Sequence, residues 1–267
     1  MSEVADRRRS LLQALIHRFS AMPEIRGMFL SGSIASGSED AASDIDLRVL
    51  VADEAWNAVL PQRGLLVERF DSFLFHQSIE SDHTVSYFSG GFKLDCFYYR
   101  TSQFSPSPWL SLPTVIIFDH DRTLARAIRL SNGLSFKAEE TQVEWAARNA
   151  AAHAIESAKR LWRGDIAYAE SLYQSAAEKV ALVDDLLCGR PPVGLNRFWE
   201  RGSSKVVAAV CAPLVVAPRE RCLAMCSCLL DLLEEARRRG VMQERVVAAI
   251  KNATLECILL LELPRAT

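Results

Sequence analysis

Gly32, Ser33, Asp44, Asp46 and Asp95 are the residues whose types and spacing could do chemistry. Asp44 and Asp46 flank Ile45 in an apolar run that reads as a strand, so both carboxylates point to one face. Held together and shielded from water they repel, and one keeps a proton unless a cation lies between them. Ahead of them, Met28–Leu30 reads as a short strand that ends in the turn Ser31-Gly32-Ser33. Backbone N–H groups in such a turn can hold phosphate. Two acids beside it call for Mg²⁺ and a nucleoside triphosphate. The bland alternative is a hairpin with a serine-rich turn and two surface acids. Ile45, Leu47 and Val49 interleave with the acids and speak for burial.

A third acid has a similar setting. The stretch FKLDCFYY, residues 92–99, alternates Phe92, Leu94, Cys96 and Tyr98 with Lys93, Asp95, Phe97 and Tyr99. An acid amid such a strand is costly to bury unless a cation meets it. Asp95 completes a three-carboxylate site if its strand lies beside that of Asp44 and Asp46. Otherwise it is an edge-strand acid facing water.

The stretch from Met28 to Val49 resembles the signature of polymerase-β-type nucleotidyltransferases, in which Gly-Ser is followed by ten residues and then Asp-x-Asp. Here these are Gly32-Ser33, Ile34–Ser43 and Asp44-Ile45-Asp46. The resemblance implies that Asp95 supplies the third metal-binding carboxylate. It also implies two Mg²⁺ ions, which in such sites lie about 3.5–4 Å apart, and ATP as co-substrate. Ser31, Gly32 and Ser33 would hold its phosphates.

Composition narrows the field. The chain has 267 residues, 49% of them hydrophobic, and a net charge of −2. It is long enough for two modest domains. It lacks the basic balance of an extended nucleic-acid binder, which favours a small acceptor over a polymer. No apolar run reaches membrane-spanning length, since Glu256 and Glu262 interrupt the stretch near Leu255–Leu263. The N-terminal Arg7-Arg8-Arg9 precedes no apolar signal core. Seven cysteines, paired in spacing only as Cys226-x-Cys228, read as reduced thiols in a cytoplasmic protein, and no zinc site is expected. A monomer or homodimer is expected.

These motifs need elements to position them. Residues 4–20 place Leu11, Leu12, Leu15, Ile16 and Phe19 at helical spacing, and Pro23 ends that helix. Asp53–Gln62 reads as a connecting helix. Leu65–Phe70, Thr84–Phe88 and Thr114–Phe118 read as strands, with a loop at 72–84. Asp119-His120-Asp121-Arg122-Thr123 resembles the nucleophile loop of haloacid-dehalogenase-type phosphatases, but Arg122 stands where that loop needs glycine. Asp119 is better read as ending the strand and capping a helix at 121–129.

From about residue 138 the strand patterns stop. Val143, Ala147, Ala150, Ala154, Ala158 and Leu161 form one helical stripe. Ile166, Ala169, Tyr173, Ala176, Val180, Val183 and Leu187 form a second, and the two should pair antiparallel. Further helices are expected over 203–211, Arg219–Arg239 and Gln243–Leu261. The expected fold class is therefore α+β, a mixed sheet flanked by helices over 1–135 followed by a helical bundle over 136–267.

AKRLWRGDIAYA, residues 158–169, resembles the corresponding helix of streptomycin (aminoglycoside) adenylyltransferases and lincosamide nucleotidyltransferases. That likeness implies a helical domain on the acceptor side and Lys159 reaching the triphosphate as a mobile charge. The other reading of Lys159 is a solvated helix position, and Glu156, one turn earlier, is best read as its ion-pair partner. The loop 72–84, with Asp71, Glu80 and Asp82 in or beside it, would face the acceptor, a small-molecule hydroxyl on an aminoglycoside- or lincosamide-like antibiotic. Alternatives are a protein acceptor, as in toxin-modifying nucleotidyltransferases, and a nucleotide-binding module without activity. Arg148-Asn149-x-x-x-His153 also matches the Arg-x₄-His pattern of HEPN-type ribonucleases, which would make Arg148 and His153 the catalytic pair.

Overall fold

The computed structural model describes residues 3–193, 195, 205–211 and 216–263. It divides into two compact units, Met1–Leu134 and Ser135–Thr267. The architecture is α+β: one mixed sheet with flanking helices, and a helical C-terminal region.

The first unit opens with α1 (Glu3–Ser20), β1 (Ile25–Leu30), the short α2 (Gly32–Ser36) and β2 (Ile45–Val51). It continues with α3 (Trp56–Val59), α4 (Arg63–Glu68), β3 (Phe73–Glu80), β4 (His83–Phe88), β5 (Lys93–Arg100), β6 (Val115–Asp119) and α5 (Thr123–Ser131). The strands lie in the order β3-β4-β5-β2-β1-β6. Every pairing is antiparallel except β2 with β5.

Strand alternation divides the sheet into two faces. Met28, Leu30, Ile45, Leu47, Val49, Leu94, Cys96 and Tyr98 are buried on one face. Leu11, Leu15 and Phe19 of α1 pack there, with Val59, Leu66 and Val67. On the other face Phe29 and Leu50 meet Leu124 and Ala127 of α5. Gly27 admits α5 closely, since a Cβ would come within 2.9 Å of the Leu124 side chain. Asp46, Arg48, Lys93 and Asp95 occupy the alternate positions, on the same face as Leu50 and only partly covered.

Three expectations need correction. Leu65–Phe70 is not a strand: α4 runs Arg63–Glu68, burying Leu66 and Val67 and exposing Leu65. So short an apolar run has no period that separates helix from strand. The segment 72–84 is not a loop but the hairpin β3–β4, with Ser81 and Asp82 at its turn. Two register shifts and solvent on most of its side chains erase the alternation of β3. Asp53–Gln62 breaks into a 3₁₀ turn at Asp53–Ala55, α3, and a second 3₁₀ turn at Leu60–Gln62. Pro61, without an N–H, falls in the last of these. Elsewhere β6 ends at Asp119, whose Oδ2 accepts the Ala125 N–H of α5 at 2.9 Å. Asp121 is held by Arg26 through two hydrogen bonds.

The second unit contains α6 (Glu140–Trp162), α7 (Ile166–Leu187), α8 (Lys205–Val210), α9 (Pro218–Arg238) and α10 (Glu244–Glu262). The α6 stripe is buried throughout, with Val143, Ala147, Ala150, Ala154, Ala158 and Leu161, and the α7 stripe is buried at Ala169, Tyr173, Ala176, Val180, Val183 and Leu187, while Ile166, in the first turn, is exposed. Residues 203 and 204 of the expected 203–211 helix lie outside the described residues. Among the described residues no helix is long and apolar enough to cross a membrane.

Candidate functional site

The site begins at the end of β1. Gly32 has φ +67°, a left-handed conformation that side chains with a Cβ rarely adopt. A Cβ there would lie 2.9 Å from Asp46 Cγ and closer still to its Oδ2. The glycine is therefore required twice, for the turn and for the approach of the carboxylate. The Ser31 N–H donates to the Asp46 carbonyl at 3.0 Å. That N–H is used within the fold, and the Ser33 carbonyl accepts from the Ser38 N–H and the Ser36 hydroxyl, which leaves the Ser31 and Ser33 hydroxyls and the Gly32 and Ser33 N–H groups as the polar groups of the turn.

The connection from Gly37 to Asp44 is tied down from α1. Arg8, 4% exposed, donates from Nη1 to the carbonyls of Asp40 and Ser43, each at 2.8 Å. Asp40 Oδ1 accepts from the Ala42 N–H and the Ser43 hydroxyl, each at 2.9 Å. Arg8→Met is expected to strip two carbonyls of their donor and lower unfolding free energy by about 2–3 kcal/mol, read from urea unfolding.

Asp46 and Asp95 are register partners in the parallel pair of β2 and β5, so their side chains share a face. Asp44 lies one residue before β2 rather than on it. Its Oδ1 accepts the Lys93 N–H at 3.0 Å, which ties it to the start of β5. Lys93 Nζ stands 3.7 Å from Asp44 Oδ2 and 3.7 Å from Asp95 Oδ2, a cation between two acids. Asp95 Oδ1 meets His83 Nε2 at 2.7 Å and Arg48 Nη1 at 4.0 Å. Arg48 also donates to the carbonyls of Leu47 and Asp95 and lies 4.4 Å from the Phe97 ring centroid. The His83 ring stacks on Phe97 at 3.9 Å.

Burial pushes the Asp46 carboxyl above its ordinary value; Arg48 pulls it back, Asp95 raises it further, and Lys93 opposes them. Three acids thus face two basic side chains, Lys93 and Arg48. With Lys93 in place, the carboxylates are spread wider than a closed ligand set. Among the described residues, the group of three potential ligands whose donor atoms all lie within 4.8 Å of one another is Cys222, Cys226 and Cys257.

The first unit therefore brings together Ser31, Gly32, Ser33, Asp44, Asp46 and Asp95. Lys159 stands in the second unit, on α6, where its Nζ donates to Glu156 Oε1 at 2.6 Å. That bond holds the Glu156 carboxyl below its usual value. Arg148 pairs with Glu144 one turn back at 2.7 Å, and Asn149 donates to the Trp145 carbonyl. The buried Nδ1 of His153 has no hydrogen-bond partner among the described residues.

Lys93, Arg48 and His83 are site residues that motif reading passed over. The first two were signalled by alternation, each two residues from an acid and so on its face. His83 pairs with Phe97 across β4 and β5, and Val85 with Asp95, a register that the letters alone do not reveal.

The chain matches no family model and no curated protein. Among solved structures it aligns with a nucleotidyltransferase-like protein from Exiguobacterium sibiricum 255-15 at 13% identity, over 92% of this chain and 77% of that one, with a TM-score of 0.41. It also aligns with the Bradyrhizobium diazoefficiens CD-NTase CdnG in complex with GTP at 12% identity, over 94% and 84% of the two chains, with a TM-score of 0.26.

Proposed function

We propose that the chain is a Mg²⁺-dependent nucleotidyltransferase that moves a nucleoside monophosphate, AMP from ATP, onto a hydroxyl of a small molecule and releases pyrophosphate. The observation that carries the reading is the in-register pair Asp46 and Asp95, on one face of adjacent parallel strands, with Gly32 closed against Asp46. In this reading residues 1–135 are the catalytic domain and 136–267 the acceptor-binding domain, with an aminoglycoside- or lincosamide-like acceptor favoured.

The donor set suits a hard cation, since Mg²⁺ binds carboxylate and phosphate oxygens. Asp44, Asp46 and Asp95 would hold two Mg²⁺ ions, which would neutralise the triphosphate and acidify the acceptor hydroxyl. The chain's own groups do the rest. Ser33, the Gly32 backbone and the Ser31 hydroxyl bind the β- and γ-phosphates. In this reading Asp95 takes the acceptor proton, and His83, bonded to its Oδ1, orients the carboxylate. Alignment and charge neutralisation supply most of the rate, because transfer at phosphorus asks little covalent work of the protein.

Lys93 now has a definite part. Its ammonium stands between Asp44 and Asp95 and competes with a metal for both. At about 4 Å, unit charges near a protein surface interact by roughly 4 kcal/mol, so removing this one is a large change. Lys93→Met is expected to bind Mg²⁺ at least about tenfold more tightly and to melt lower than the parent in EDTA. Calorimetric titration and thermal melts with and without Mg²⁺ check both.

The defining experiment is pyrophosphate release from labelled ATP with Mg²⁺, against aminoglycosides, lincosamides and nucleotides, with cell lysate as a further arm. Label on a small molecule supports the reading, and label on a protein band moves the acceptor to a partner. ATP binding without release in any arm reduces the chain to a nucleotide-binding module.

A further inference from the structure

We propose that the helical unit holds a buried three-cysteine site for a soft monovalent metal ion, Cu(I), apart from the carboxylate site. Cys222 and Cys226 are one helical turn apart on α9, and Cys257 comes from α10. All three are fully buried. Their sulfurs lie within 4.8 Å of one another, with Cys226 and Cys257 at 3.6 Å.

The dimensions suit a metal. Three thiolates at about 2.3 Å from a shared ion stand roughly 4 Å apart in a planar arrangement. The cluster needs only small side-chain adjustments to reach that spacing. Its chemistry narrows the ion, because thiolate sulfur selects soft metals over Mg²⁺ or Ca²⁺. No histidine or carboxylate belongs to the group. The Ser157 hydroxyl, on α6, also touches the Cys222 thiol and donates its own proton to the Ala169 carbonyl at 2.9 Å. Three sulfurs without a fourth donor do not make the four-coordinate structural zinc site. They suit Cu(I), a soft ion that thiolates select. Each bond made by a thiolate releases one thiol proton to solvent, and no electron is transferred.

Position supports the assignment over simple packing. Cys228, two residues along the same helix from Cys226, turns away and donates to the Lys205 carbonyl. Cys188 and Cys211 are exposed, and Cys96 lies in the other unit. Three of the chain's seven cysteines thus meet at one point in a core otherwise built mainly from alanine, valine and leucine, with Tyr173, Met225, Met242 and Ile250. A buried thiol also packs as a small hydrophobe, so the test must separate the two roles.

The full-length chain, reduced and kept anaerobic, is titrated with Cu(I) supplied as a coloured bathocuproine disulfonate complex. One equivalent is expected to leave the chelator for the protein. X-ray absorption should then report three sulfur neighbours at about 2.3 Å. Cys222→Ser and Cys257→Ser should weaken uptake at least about tenfold, while Cys228→Ser should leave it unchanged. Cys222→Ala, checked by circular dichroism, separates loss of a ligand from loss of fold. The proposal is overturned by no uptake in the parent, by uptake that survives Cys222→Ser, by uptake that requires Cys188 or Cys211, or by a tetrahedral zinc complex held more tightly than Cu(I).

Discussion

Asp46→Asn is expected to lower pyrophosphate release by at least about 10³-fold while leaving the protein folded, because fixed charge opposite the reacting phosphate is the largest catalytic term. The same substitution should not cost stability. Burial raises the folded-state pKa of Asp46 above its ordinary value, so the protonated form is favoured more in the folded chain than in the unfolded one. The stability tied to that form is fully present below the unfolded value and is lost as pH rises through the higher folded value. Asparagine mimics the protonated carboxyl and retains this stability at neutral pH. In EDTA the variant should therefore melt at or above the parent temperature, and its melting point should fall less than the parent's between pH 4 and pH 7. Added Mg²⁺ should stabilise the parent and not the variant. Near-normal turnover in Asp46→Asn would remove the proposed chemistry. A large drop in melting temperature would show instead that the carboxylate is a structural support.

Gly32→Ala should also damage activity, by a different route. The residue sits at φ +67°, and an added methyl would strike the Asp46 carboxylate. Backbone strain of this kind is worth about 1–3 kcal/mol, and the collision must be relieved by moving either the turn or the acid. Because the Ser31 N–H is bonded to the Asp46 carbonyl, strand and turn shift together. A displacement of about 1 Å in a reacting constellation is enough for a roughly 100-fold loss. We expect kcat to fall by at least about that factor and urea stability to fall by about 1–3 kcal/mol. Gly37→Ala is the control. It also has a positive φ, but its Cβ would meet nothing within 4 Å. It should share the backbone penalty and keep its activity.

The two variants separate the roles of glycine and acid. Asp46→Asn removes charge without moving atoms, whereas Gly32→Ala moves atoms without removing charge. Activity lost in both, with stability lost in only the second, is the pattern the geometry calls for.

Much of this was open to reading in the letters. The spacing of Gly32, Asp44 and Asp46, and the alternation around Asp95, are local patterns, and local patterns survive without a fold. The long helices of the second unit were legible for the same reason, since α6 and α7 carry stripes more than five turns long. What failed was short or irregular. α4 has six residues and no resolvable period. β3 sits at the sheet edge, twice bulged and mostly exposed, so burial imposed no alternation on it.

The sequence by itself determined which residues could bind phosphate and which could carry metal-binding charge, because these follow from side-chain chemistry and from periods of two and 3.6 residues. Only the tertiary structure decided that β2 and β5 run parallel in the register that sets Asp46 beside Asp95. It likewise decided that Lys93 and His83 answer those acids, and that three thiols from α9 and α10 converge. Strand order, register and helix packing join residues far apart in the chain. They arise from burying one shared core, and no local pattern encodes them.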